Sequence, residues 1–356
     1  MSDVRGDEAR EWVKAYYGEH LRSSADLKTN ACCASPPPAW LGDLLARVHP
    51  EVQQRFYGCG YPIPEAIEGR TLVDLGCGAG RDVFLLAQLV GPKGRVHGVD
   101  MTAAQLEVAE GHRAWHAAQA GLEASNVQFH EGMIEDLACL ELPRGSVDVC
   151  ISNCAVNLSP RKDLVLREVH ALLKEGGEFH LSDVVVDRRL DELAQRDPEL
   201  YAECLGGALY RHDFEDLARR MGFLDPRIVS VHPIELRSEG IRRKVGAARF
   251  FSVTYRLFKL PALETRCEDY GQVAIYRGGI PHHEALFALD DHHFFERGRP
   301  ERVCGNTAEM LGATRLRERF TLTGDRATHY GLFDCAGTLA TALHAQPVTP
   351  SSASCC

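Results

Sequence analysis

No stretch of this 356-residue sequence approaches the roughly 18 uninterrupted apolar residues of a membrane-spanning helix. A secretory signal is also missing: the opening MSDVRGDEAREW is polar and of mixed charge. A cytoplasmic protein without a membrane partner is therefore expected. Basic charge is scarce. Lys+Arg 40 against Asp+Glu 50 gives a net charge of -10, and the longest basic run is Arg242-Arg243-Lys244. Such a field repels polyanions, so no nucleic-acid partner is expected. With 45% apolar and 25% charged residues, the composition excludes collagen-like and disordered chains. The 13 cysteines are an odd number, spread from Cys32 to Cys356, and do not form a disulfide framework in a chain of this size. Some are expected to serve as small buried hydrophobes. The others require a chemical reason.

What is present is alternation. TLVDLG (71–76), RVHGVD (95–100), VQFHEG (127–132), SVDVCISN (146–153) and EFHLSDVVVD (178–187) read as strands. Between them lie helical stretches at 81–90, from Thr102 as cap to about 120, and at 162–174, the last stopping at Gly176-Gly177. Such βαβ succession predicts an α/β fold with a mostly parallel, Rossmann-like sheet. From about 190 to 236 the chain returns to helices and then to the strand RIVSVHPIEL (227–236). Beyond 245, FSVTYRLFKL, QVAIYRGG and the stretch around FALDDHHFFERGRPERV suggest antiparallel strands, with a helix at 307–320: a smaller α+β C-terminal domain. Four divisions are expected: an N-terminal helical segment (1–66), a cofactor domain (67–190), a substrate region (191–280), and a C-terminal domain with a mobile tail (281–356).

The first strand ends in Asp74-Leu-Gly76-Cys-Gly78-Ala-Gly80-Arg81. Glycines at a strand-to-helix turn let a ligand approach the backbone. A dinucleotide site would place its third glycine one residue later, where Arg81 stands. Asp100 closes the second strand and Glu135 follows the third. Together these features resemble the class I S-adenosylmethionine-dependent methyltransferases. The resemblance implies that Gly76, Gly78 and Gly80 border the methionine part of the cofactor and that Asp100 with Met101 borders the ribose. It places Met133, Ile134 and Glu135 along the adenine and Asn153 near the sulfonium. Asp74, Arg81 and Gln105 complete the expected cofactor set.

Four cysteines sit in settings unlike a core. Cys32 follows LKTN, Cys59 lies in YGCG, Cys154 in SNCAVNL and Cys204 in ECLGGAL. These contexts, with DLGCGAGRD, GVDMT and FSVTYRLFK, are similar to those of the arsenite methyltransferases from about residue 12 to 280, and much less clearly beyond. Trivalent arsenic is thiophilic, and three sulfur ligands leave its lone pair free to attack a methyl sulfonium. The resemblance implies an enzyme of arsenic detoxification that methylates arsenite and then methylarsenite, on arsenic held by Cys59, Cys154 and Cys204. Cys32 would pair transiently with Cys59, and thioredoxin or glutathione would supply electrons. Cys154 and Cys204 would suffice for the methylated substrate. Each As–S bond is read as needing a thiolate, with the cofactor's positive charge lowering the thiol pKa.

Other residues carry weaker signals. Cys77 and Cys150 read as packed, and Cys139, Cys267, Cys304 and Cys335 have no distinctive setting. The vicinal pairs Cys32-Cys33 and Cys355-Cys356 can chelate arsenic, the latter as a substrate-gathering tail. His282-His283 and His292-His293 read as surface residues, without the spacing of a zinc site. Two rival functions remain open. One is a small-molecule methyltransferase acting on a carbon or oxygen nucleophile, which would need a base near Asn153. The other is a thiol-rich metalloid-binding protein without turnover.

Overall fold

The computed structural model describes residues 10–14, 16 and 37–335. Cys32, Cys33, Cys355 and Cys356, and with them the expected tail, lie outside the described residues. Strands β1 (Thr71–Leu75), β2 (Arg95–Asp100), β3 (Val127–Glu131), β4 (Val147–Asn153) and β5 (Leu173–Val186) alternate with helices α1 (Arg81–Val90), α2 (Ala103–Gln119) and α3 (Lys162–Leu172). Two short helical turns, Glu192–Gln195 and Pro198–Ala202, follow, then β6 (Leu209–Tyr210), α4 (Arg211–Arg220), β7 (Arg227–Pro233), α5 (Glu239–Val245) and β8 (Phe250–Phe258).

These strands form one sheet in the order β3-β2-β1-β4-β5-β8-β7, with β6 beside the end of β5. Every pairing is parallel except those of β8, which runs antiparallel to both β5 and β7. FSVTYRLFKL thus closes the main sheet and does not begin a separate domain. Its fully buried run is what two covered faces require. Gly176-Gly177 does not end a helix either. α3 stops at Leu172, and the glycines lie within β5, where its register against β4 shifts between Val147 and Val149. Two apolar layers sandwich the sheet, one from α1 and the chain before β1, the other from α3 and α4.

A second unit follows: β9 (Val273–Tyr276), β10 (Leu286–Ala288), β11 (Phe294–Glu296), β12 (Pro300–Arg302), α6 (Gly305–Gly312) and β13 (Phe320–Thr323). β9 lies between β12 and β13 in an antiparallel sheet, so this unit takes in chain on both sides of residue 280. Its core of Tyr276, Phe287, Phe295 and Leu311 is continuous with Phe258 and Leu260 at the end of β8. The junction also holds a buried ion triad. Glu178 on β5 meets Arg256 on β8 at 2.6 Å and Arg315 from the second unit at 2.5 Å. Burial alone would raise the Glu178 pKa, but the two arginines outweigh it and hold the carboxylate well below its usual range.

Candidate active site

The parallel strands end side by side, and their carboxyl ends floor a cavity, as expected where an open α/β sheet reverses order. Asp74, Gly76 and Gly78 come from β1 and its turn, Arg81 from α1, and Asp100, Met101 and Gln105 from β2 and the start of α2. Met133, Ile134 and Glu135 follow β3, and Asn153 ends β4. All of these line the one cavity, and Cys154 lines it too.

Gly80 does not. Its φ of +87° and the Phe129 ring, 2.9 Å from where a Cβ would stand, make it a packing glycine at the head of α1. Thr102 occupies the N-cap position of α2, but its side chain makes no capping bond. The amide of Thr102 instead donates to Asp100 Oδ1 at 2.8 Å, and Gly78 N–H donates to Asp100 Oδ2 at 2.9 Å. The Thr102 hydroxyl and the Met101 amide also bond this carboxylate, which lines the cavity at the end of β2 where a ribose diol would meet it.

Asp74, Asp82 and Asp100 crowd the floor. Burial first, then repulsion from Asp82 and Asp100, raises the Asp74 pKa well above the ordinary value. Arg81 offsets part of this while paired with Asp82 at 2.7 Å. A cationic ligand is what this acidic floor suits, and the sulfonium and ammonium of S-adenosylmethionine satisfy it. The residues present therefore fit that cofactor.

Asn153 does more than line the cavity. Its Oδ1 accepts from the amides of Cys59 (2.9 Å) and Gly60 (3.2 Å), and its Nδ2 donates to Gly60 O (2.9 Å) and Asp82 Oδ2 (2.8 Å). The amide thus pins the Cys59 loop to the sheet. A Cβ on Gly58 would stand 2.4 Å from the Asn153 side chain, which explains a glycine there. Ser252 on β8 holds the same loop from behind through Cys59 O at 2.8 Å.

Three of the four singled-out cysteines meet. Cys59, Cys154 and Cys204 are 1%, 4% and 2% exposed and share an apolar cluster with Val184, Leu205 and Phe250. Cys154 is central, its thiol pKa raised by the thiols of both others. The Cys204 thiol also donates to Cys154 O at 3.4 Å. Both Cys154 and Cys204 have φ of +60°, in the left-handed region that residues other than glycine rarely adopt. Among the described residues only three other non-glycine residues do so. Strain at two partners of one cluster is the mark of a functional constraint. No sequence pattern announces it.

Burial raises the Cys59 and Cys154 pKa values; the thiol hydrogen bonds from its neighbours raise Cys154 further, and Asp183 adds to the rise at Cys59. Burial thus favours the protonated form of the Cys59 and Cys154 thiols. Asp183 itself is pushed up to about 6 by burial, a rise limited by backbone amides of Val184 and Asn157 and by the charge of Lys162. Over this region sit residues the sequence did not flag. Arg10 lines the cavity 3.6 Å from Glu135, Val13 packs on Tyr201 and Met101, and Tyr16 donates to Glu203 at 2.6 Å.

Among the remaining cysteines, Cys150 is core, while Cys77 both packs in the core and lines the cavity. Cys267, Cys304 and Cys335, which the sequence left without a setting, converge in the C-terminal unit. The His292-His293 pair is not a free surface pair: both bond to acids nearby, His293 to the buried Asp290 at 2.8 Å and His292 to the half-buried Asp291 at 2.5 Å.

Comparison with known proteins agrees with this geometry. Residues 67–222 match the methyltransferase domain family, and 269–356 match the arsenite methyltransferase C-terminal domain family. The resemblance thus continues through the last part of the chain, which the sequence motifs alone did not reveal. The arsenite methyltransferase of Aquipseudomonas alcaligenes is 54% identical over 97% of this chain and 99% of its own length. The human arsenite methyltransferase is 41% identical over 90% of this chain and 86% of its own. The crystal structure of an arsenic(III) S-adenosylmethionine methyltransferase from Chlamydomonas reinhardtii superposes with a TM-score of 0.81 at 51% identity, covering 84% of this chain and all of that one. A class I methyltransferase sheet, an acidic pocket suited to a sulfonium and a strained cysteine cluster at its edge belong together here, because the chain is a member of the arsenite methyltransferase family.

Proposed function

We propose that this chain methylates trivalent arsenic held by Cys59, Cys154 and Cys204, with arsenite and then methylarsenite as substrates. The observation that carries the reading is the three-thiol cluster with left-handed backbone at Cys154 and Cys204, opening on the cofactor cavity at Cys154. Raised thiol pKa values are no obstacle to loading. Arsenite at neutral pH is As(OH)3, so each Cys–S–H proton leaves with an arsenic-bound hydroxide as water while an As–S bond forms. The cluster's apolar wall of Val184, Leu205 and Phe250 keeps water from the arsenic.

Asp100 would hold the ribose and Asp74 the ammonium, with Met133, Ile134 and Glu135 along the adenine. When bound, S-adenosylmethionine supplies an electrophilic methyl group that forms an As–C bond as the S–CH3 bond breaks, its electron pair staying on sulfur. The side chains contribute binding and aim; the arsenic lone pair is the nucleophile and no base is needed. Asn153, with its amide committed to the Cys59 loop and Asp82, is a positioning residue, which disfavours the rival that needs a base there.

Methylation takes arsenic from the trivalent to the pentavalent state. We assign Cys32 as the thiol that attacks the Cys59 sulfur: the Cys32–Cys59 disulfide forms as the As–S bond to Cys59 breaks, its electron pair returns to arsenic, the Cys32 proton is released, and methylarsenite stays on Cys154 and Cys204. Thioredoxin or glutathione would reduce that disulfide. Incubation with arsenite, a thiol reductant and methyl-labelled S-adenosylmethionine tests the reading. Labelled methylarsenicals support it; binding of arsenite without turnover would favour a metalloid-binding protein.

A further inference from the structure

The C-terminal unit brings a second thiol cluster together. Cys267 precedes β9, Cys304 caps α6, and Cys335 ends the described chain, yet their sulfurs all lie within 4.8 Å of one another. Main-chain bonds enforce the meeting: Phe333 N–H donates to Cys267 O at 2.8 Å, and Gly305 N–H to Glu268 O at 2.9 Å. Cys304 is buried. It accepts from Thr307 N–H at 3.4 Å and from Arg227 at 3.8 Å, donors that favour an anionic sulfur.

Imidazoles stand beside Cys335. Ligand atoms of His292, His293 and Cys335 also lie within 4.8 Å of one another; of the two histidines, His293 has its imidazole backed by the buried Asp290. Nδ1 of His293 faces the buried Asp290 carboxylate at 2.8 Å and Arg227 at 3.3 Å; in the tautomer that donates to Asp290, Nε2, 3.3 Å from Thr307 Oγ1, carries the lone pair. A carboxylate behind an imidazole is the support that metal-ligating histidines ordinarily have. Three thiolates and one such nitrogen are a Cys3His set, the donor set of a structural zinc ion. Arsenic(III) would use the three sulfurs and have no need of the nitrogen. The enclosing unit is small, with two short sheets and one helix, the kind of fold that gains most from such a staple.

We propose that Cys267, Cys304, Cys335 and His293 bind a structural Zn(II) ion in the C-terminal unit, apart from the arsenic-binding thiols. This site ties the end of the described chain to α6 and to the segment before β9. It does not take part in methyl transfer.

The test uses the full-length protein, purified under reducing conditions without chelator. Elemental analysis should find about one zinc per chain, the stoichiometry of a single closed site. Cys267→Ser and Cys335→Ser should each lose that zinc, while Cys154→Ser should keep it. Cobalt(II) added to metal-stripped wild-type protein should give the intense visible bands of a tetrahedral, thiolate-rich site, a readout that does not depend on the variants folding. Absence of both zinc and that spectrum would overturn the proposal. So would zinc retained in the Cys267 and Cys335 variants, or zinc lost from Cys154→Ser. Arsenite occupying this triad with no zinc uptake would also refute it.

Discussion

Replacing Asn153 with alanine would remove four hydrogen bonds at the meeting point of the cofactor cavity and the Cys59 loop. Two backbone amides, of Cys59 and Gly60, would lose their acceptor, and buried donors left unpaired cost about 1–3 kcal/mol each. If the loop stays in place, the variant should lose about 2–6 kcal/mol of folding stability. If the loop moves to hydrate its amides, stability falls less, but the Cys59 thiol leaves Cys154 and arsenite methylation falls instead. Urea denaturation reads the first outcome and steady-state rates with arsenite read the second. Under the second, methylarsenite should remain a substrate, because Cys154 and Cys204 stay where they are. Stability within about 0.5 kcal/mol of wild type, the ordinary range for a neutral surface change, together with an unaltered arsenite rate would refute the positioning role.

Four further outcomes are expected. Asp100→Ala should weaken S-adenosylmethionine binding at least tenfold, about 1.4 kcal/mol, by calorimetry, and unchanged affinity would remove Asp100 from the site. Cys154→Ser or Cys204→Ser should abolish both methylations, whereas Cys59→Ser should abolish that of arsenite and spare that of methylarsenite; equal loss of both in the Cys59 variant contradicts this division. Asp74 is held well above the usual carboxylate range by burial and by Asp82 and Asp100. A bound cation favours its ionised form, so cofactor binding should release a proton below that raised pKa and weaken as pH falls; calorimetry in buffers of different ionisation enthalpy detects the proton, and no linked proton at any pH counts against the assignment. Glu178→Gln removes the carboxylate shared by two buried guanidinium groups, leaving Arg256 only Glu65 at 3.4 Å, and should cost about 3–5 kcal/mol of stability; a loss below about 1 kcal/mol would show the triad to be unimportant.

The sheet was legible because each parallel strand is a short apolar run closed by glycine or aspartate, as at TLVDLG and RVHGVD, and α1 matched the sequence reading at both ends. The partner of a strand is not written in its own residues. FSVTYRLFKL alternates well enough to suggest an antiparallel pair, but nothing local says that the pair is β5 and β7 of the main sheet. The residues that line the cavity could be read because they follow consecutive strand ends. Gly80 was the exception, since the ring that demands it, Phe129, comes from β3. For the thiols, family context singled out Cys59, Cys154 and Cys204, but the positive φ at two of them has no sequence signal in a residue with a Cβ. Cys267, Cys304 and Cys335 had no readable spacing at all, because separate elements of the second unit carry them to one point.

The central claim is that arsenic is held at Cys59, Cys154 and Cys204, within reach of the cofactor cavity. The measurement that tests it most directly is a crystal structure of the complex with arsenite, with the arsenic located by anomalous scattering. The account predicts one strong peak bonded to those three sulfurs, facing Asn153 and the acidic floor. A peak only at Cys267, Cys304 and Cys335, or arsenic bonded to oxygen beside an untouched Cys154, would contradict it.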